Sequence, residues 1–160
     1  AAGVLAYLQF FYSPLTNELE FFGVDQRHES DIEGLGRIPS EQQLKSKKVP
    51  SFNVIGNSPL VLRESLLDEA YTMGENFVDA AKRVVSPGMN GPFCIEGVYD
   101  ENAKFTSFEF SARIVAGTNI YMDGSPYYSL LFNENMSMGK RIAREIKIAE
   151  EKNQIEKIVT

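Results

Sequence analysis

One cysteine, Cys94, and one histidine, His28, are all this chain offers of two side-chain types that dominate zinc sites and nucleophile–base pairs. A single thiol excludes an internal disulfide framework and a cysteine-rich zinc site; it suits a small residue packed on a strand in a reducing cytoplasm. A single imidazole with no Cys or Asp motif beside it supports neither zinc nor a Ser-His-Asp triad. Basic charge is also short. With 16 Lys and Arg against 22 Asp and Glu the net charge is -6, and without a clustered basic surface the chain is not a general nucleic-acid binder. The apolar opening A-A-G-V-L-A-Y-L-Q-F-F-Y is only about a dozen residues, lacks a basic flank and contains Gln9, so it reads as a buried strand rather than a membrane span or signal peptide. No internal repeat or low-complexity segment points to a solenoid.

What is present suits one domain. The chain has 160 residues, 43% of them hydrophobic, enough for a core. Residues 3–12 and 18–25 read as two strands joined by a turn at Ser13 to Asn17. From Gln26 to Val49 the pattern gives way to a solvated loop. Ser58-Pro59 has the form of an N-cap followed by proline at the first helical position, and Leu62, Leu66, Ala70, Met73, Phe77, Ala81 and Val84 then recur at helical spacing as far as Ser86-Pro87-Gly88. Asp100 to Ala103 is a turn between two further strands. Y-Y-S-L-L-F at residues 127–132 reads as another strand. A helix from a Ser137 cap places Ile142, Ile146 and Ala149 inward and leaves Arg141, Arg144, Glu145 and Lys147 largely on a solvated face. The expected class is α+β, an antiparallel sheet with flanking helices.

The chemistry concentrates between Gly91 and Asn119. Glu96 lies in the apolar run Phe93 to Val98 and Glu109 in Phe105 to Phe110, one carboxylate on each strand of a hairpin. Burying a lone carboxylate is unfavourable unless it is paired, hydrogen-bonded or metal-bound. Two facing carboxylates suit Mg2+, which takes a few carboxylate oxygens together with phosphate oxygens and water. Strand alternation alone would equally make both glutamates solvent-face residues of an edge hairpin. Arg113, two residues beyond Ser111, would share a strand face with Glu109, to stabilise a transferring phosphoryl group or simply to neutralise the pair. Gly117-Thr118-Asn119 reads either as a loop of backbone donors or as a plain turn.

The segment F-E-F-S-A-R, Phe108 to Arg113, resembles the E-x-N-x-R signature that closes the metal site of ATP-grasp enzymes. The longer run S-A-R-I-V-A-G-T-N-I-Y-M-D-G-S-P-Y is similar to one family among them, the formate-dependent phosphoribosylaminoimidazolecarboxamide ligases of purine biosynthesis. Further landmarks follow in order: F-F-Y-S-P at Phe10, G-V-D-Q-R-H-E-S at Gly23, G-N-S-P-L-V-L-R-E-S-L-L at Gly56, P-G-M-N-G-P-F-C at Pro87 and M-S-M-G-K-R-I-A-R-E-I-K at Met136.

The resemblance implies that residues 1–160 are the C-terminal part of an ATP-grasp fold. An N-terminal half bearing the substrate domain and the adenine-contacting lysine would be missing, which fits an opening inside an apolar strand without an initiator methionine. It implies a cytoplasmic ligase that uses ATP and formate to convert aminoimidazole carboxamide ribotide (AICAR) to its formamido derivative (FAICAR) through formyl phosphate, the fragment alone being inactive. Mg2+ or Mn2+ would sit on Glu96 and Glu109. Arg113 would be catalytic, Glu29 would contact ATP, and Asn57 and Asn119 would contact the ribotide. Ser111 departs from the wider signature, where asparagine often completes a second metal shell. Expected partners are ATP, formate, AICAR and other copies of the chain, with no nucleic acid or membrane. The other reading is a non-catalytic nucleotide-binding or assembly module.

Overall fold

The computed structural model describes residues 3–159. Its frame is a five-stranded antiparallel sheet in the order β3-β2-β1-β4-β5. The strands are β1 (Val4–Ser13), β2 (Glu18–Glu29), β3 (Val54–Leu60), β4 (Gly91–Tyr99) and β5 (Phe105–Ser111). The expected α+β class, an antiparallel sheet with flanking helices, is the one observed. Among the described residues no helix is long and apolar enough to cross a membrane.

β1 is the central strand, and its nearly unbroken apolar sequence reflects burial on both faces. One face carries Leu8, Phe10 and Phe93 against the long helix α3 (Leu67–Val84), with α1 (Ile32–Gly36) and α2 (Ser40–Ser46) earlier in the chain. Phe93 stacks between Phe10 at 5.1 Å and Phe77 at 4.9 Å between ring centroids. Gly74 lets α3 approach this closely, because a Cβ there would lie 2.8 Å from the Phe10 ring. The other face is covered at one end only, by α4 (Pro126–Phe132) and α5 (Met138–Glu151), where Phe11, Phe22 and Tyr128 pack together. Its other end stays open.

Three local expectations are corrected. Ser58-Pro59 does not cap a helix: both residues lie in edge strand β3, where Pro59 stands opposite Asp25, and α3 starts only at Leu67 after a 3-10 turn. An edge strand tolerates proline, and pairing with β2 outweighs the capping pattern. The Ser-Pro helix start occurs instead at Ser125-Pro126, where the Ser125 hydroxyl accepts from the Tyr128 N–H at 3.1 Å. Y-Y-S-L-L-F is therefore helix α4 and not a strand, an ambiguity inherent in short apolar runs. The stretch taken for loop from Gln26 onward continues β2 to Glu29 and then forms α1 and α2.

The last helix starts at Ser137 as expected, but its inward face differs. Arg141 and Glu145 are buried at 4% and 5% exposure, whereas Ile146 is 49% exposed. Arg141 donates to Glu20 at 2.7 Å and to Glu145 at 2.8 Å, and its guanidinium lies 4.2 Å from the Phe11 ring centroid. Ser13 donates to Glu145 at 2.6 Å and Tyr128 donates to Glu20 at 2.7 Å. Both carboxylates are thus paired and hydrogen-bonded, the condition under which buried charge is tolerated. The cluster fastens α4 and α5 to the β1–β2 hairpin. Arg141→Ala leaves two buried carboxylates without their cation and is expected to lower stability by about 3–5 kcal/mol. Urea unfolding measures this, and an unchanged midpoint would refute the structural role.

Candidate functional site

The open end of the sheet is built by register. Tyr7 pairs with Asp25 on one side and with Glu96 on the other, and Glu96 pairs with Glu109. Because strand side chains alternate, Arg27 and Glu29 fall on the same face of β2 as Asp25. Tyr7, Arg27, Glu29, Glu96 and Glu109, together with Phe52, line an open cleft of about 530 Å³. The facing pair of carboxylates expected from the sequence is present.

The two differ in setting. Glu96 is only 4% exposed; Ser111 donates to one of its oxygens at 3.2 Å and the Arg27 guanidinium approaches the other at 3.5 Å. Burial nevertheless raises its pKa above the ordinary 4.5, opposed by Arg27 and Ser111 and reinforced by the charge of Glu109. Glu109 is exposed and stands at the cleft wall. Such a pair fits a divalent cation, since Glu96 is a buried carboxylate with incomplete compensation and Glu109 is its open neighbour. Among the described residues no three His, Cys, Asp or Glu side chains converge as a metal cage. The remaining ligands would be water and phosphate oxygens, the habit of Mg2+.

Arg27 lies over the Tyr7 ring, 4.0 Å from its centroid. Burial pushes the Tyr7 phenol up to about 12, so it stays neutral. Beside them Asp25, 1% exposed, accepts from the Gln9 amide and from Asn57 Nδ2 at 2.6 Å. Burial raises Asp25, and those two hydrogen bonds oppose the rise. Asn57 therefore has its NH2 group directed to Asp25.

Glu29, half-buried, lines the same cleft. Gly117 and Thr118 belong to a 3-10 turn (Ala116–Tyr121) and are buried, so the plain-turn alternative holds and no open cradle of backbone donors forms. Gly117 packs directly on Asp25: a Cβ there would come within 2.2 Å of its carboxylate. Asn119 is exposed on that turn. Arg113 does not continue the strand face of Glu109, because β5 ends at Ser111; the side chain is exposed and donates to the Ile114 carbonyl at 2.9 Å. Cys94 is fully buried and burial pushes its thiol up, as suits a packing residue. His28 bridges Glu33 at 3.0 Å and Ser58 at 2.9 Å, tying α1 to β3.

Tyr7, Asp25 and Arg27 were missed from sequence. The available signal was period-2 polarity at Asp25, Arg27 and Glu29, visible once β2 is carried past Asp25.

The fold and cleft define a class first: an α+β domain whose antiparallel sheet presents paired carboxylates to an open site. The chain belongs to the family described as a domain of unknown function, DUF1297, whose model matches residues 1–160. It is 85% identical over 160 residues to a 5-formaminoimidazole-4-carboxamide-1-(beta)-D-ribofuranosyl 5'-monophosphate synthetase of Nitrosopumilus maritimus, covering 100% of this chain and 47% of that protein. Identity is 51% to the synthetase of the same name from Saccharolobus solfataricus, covering 99% of this chain and 47% of the relative. The crystal structure of an IMP biosynthesis protein PurP from Thermococcus kodakaraensis superposes with a TM-score of 0.83 at 38% identity, over 99% of this chain and 50% of that one. The resemblance read from the motifs is borne out, and the chain spans about half the length of the curated relatives it matches.

The raised Glu96 has a measurable sign. The folded state holds that proton more tightly than the unfolded state, so ionisation destabilises the fold as pH rises from 4.5 through the raised value. Glu96→Gln removes this titration. Its stability relative to the parent is expected to rise as pH climbs above 4.5 and to show no gain below it. Chemical denaturation from about pH 4 to pH 8 tests the trend, and a pH-independent difference would contradict it.

Proposed function

We propose that this chain forms the metal and phosphate side of an ATP- and formate-dependent ligase that converts AICAR to FAICAR in purine biosynthesis. The observation that carries the reading is the register pairing of Glu96 with Glu109 over a cleft that also holds Arg27 and Glu29. The synthetase names of the relatives favour a ligase over a non-catalytic module. In this reading residues 1–160 are the C-terminal, ATP-grasp part of a longer cytoplasmic enzyme, assembled as a homo-oligomer, whose other half completes the site.

The reaction needs no side-chain nucleophile. A formate oxygen attacks the γ-phosphorus of ATP, the bond to the bridging oxygen breaks, and ADP leaves with formyl phosphate remaining. The 5-amino nitrogen of AICAR then attacks the formyl carbon. The bond from that carbon to the phosphate oxygen breaks with its electron pair on phosphate, and the nitrogen gives up a proton to water. Bound Mg2+ or Mn2+ would supply charge neutralisation at the phosphates. Glu96 and Glu109 would hold it. Glu29 would contact ATP. Asn57, with its NH2 group engaged by Asp25, would offer its carbonyl oxygen to an N–H donor of the ribotide, and Asn119 would contact the same ligand. Arg113 would act on transferring charge by swinging from its contact with Ile114.

The test is Glu109→Gln in the intact gene product. Formate-dependent ADP release is expected to fall by about 10²-fold or more, the scale for removing a group that stabilises transition-state charge. Because Glu109 is exposed, stability should stay within about 0.5 kcal/mol of the parent. Turnover at the parent rate would sink the metal role.

A further inference from the structure

Two arginines of this chain approach carboxylates on the same sheet face, and they are used differently. Arg141 commits Nε, Nη1 and Nη2 to Glu20 and Glu145 at 2.7 to 3.0 Å. Arg27 commits none: its closest carboxylate oxygen, on Glu96, is 3.5 Å away, beyond the usual length of a charge-assisted hydrogen bond. No hydrogen bond from its guanidinium forms among the described residues. The group is also held in place, since its Cζ lies over the Tyr7 ring, 4.0 Å from the centroid, a cation–π contact that uses none of its N–H donors.

Charge sharpens the contrast. Among the described residues lining the cleft Arg27 is the sole cation, whereas Glu29, Glu33, Glu96 and Glu109 are all there. An anionic ligand entering a cleft of this sign meets repulsion everywhere except at Arg27 or at a cation held by the glutamates.

We propose that Arg27, restrained by Tyr7, is the anion-binding residue of the cleft and takes two oxygens of a ligand phosphoryl or carboxylate group through its planar fork. Tyr7 acts as its positioning residue. The assignment deepens the ligase reading and rests on it for the identity of the ligand, but the anion contact itself does not require a metal. ATP supplies a phosphoryl group and formate a carboxylate, and the two sources are separable.

The experiment is calorimetric titration of the intact gene product in metal-free buffer, with inorganic phosphate and with formate as separate probes. The parent is expected to bind at least one of them. Arg27→Gln is expected to weaken that binding about tenfold or more, the scale for losing hydrogen bonds to a charged group. Arg27→Lys keeps the charge but loses the fork, and is expected to fall in between. Thermal unfolding of the lysine variant checks that the fold is retained. Loss confined to phosphate assigns the phosphoryl source, and loss confined to formate assigns the carboxylate. Tyr7→Leu, which removes the ring but no donor, is expected to weaken the same anion, while Tyr7→Phe should not.

Parent-like binding of both probes by Arg27→Gln, or no binding of either by the parent, overturns the proposal. The ligase reading fails separately: if Glu109→Gln keeps full turnover while Arg27→Gln loses the anion, the metal role falls and the anion site stands.

Discussion

Everything in this domain is positioned by a central strand that has to be dry on both sides. β1 pairs with β2 and β4 along its length, so its backbone groups are satisfied and its side chains alone decide what may lie above and below. Toward α3 that demand is uniform, with Ala6, Leu8 and Phe10 all fully buried. On the opposite face it changes along the strand. Phe11 is covered by α4 and α5, Gln9 is buried beside Asp25, and Tyr7 borders the cleft under Arg27. The site exists because one strand passes from apolar to polar partners within a few residues while remaining buried.

Charge on this face is handled in two contrasting ways. The Glu20, Arg141 and Glu145 cluster is closed, each carboxylate engaged by Arg141 and by one neutral hydroxyl. The cluster around Glu96 is open, with a loosely approached guanidinium and a second glutamate whose charge adds to the upward shift of the Glu96 carboxyl. A fold that can satisfy one buried carboxylate so fully has no physical need to leave another under-compensated. That difference is what the proposed ligand role of Glu96 would account for.

Much of this was legible beforehand, for identifiable reasons. The β1–β2 hairpin and the acidic hairpin followed from alternation and turn residues, whereas the exact pairing of Glu96 with Glu109 depends on a register shift between Glu96 and Gly97. The motifs from Phe10 to Lys147 carried the family. The errors arose where two local rules competed. Ser58-Pro59 and Ser125-Pro126 look alike locally, and only tertiary pairing of β3 with β2 distinguishes the strand from the helix start. Arg141 and Glu145 read as surface charges because nothing in their own helix reveals Glu20, more than a hundred residues away, as their partner. Arg27 was hidden by an early end assigned to β2, and the strand face given to Arg113 came from extending β5 past Ser111.

The environment of Asp25 bears on how recognition by such a domain could change over time. Its carboxylate is touched by Gln9 from β1, by Asn57 from β3 and by the backbone at Gly117, where even a methyl group would collide. The orientation of the Asn57 amide is thus a joint property of four segments distant in sequence. Swapping strand β3 into another scaffold would carry the amide but not its direction. Altered ligand preference is therefore more accessible through the exposed residues at the cleft rim than through this corner, which is inherited whole or not at all.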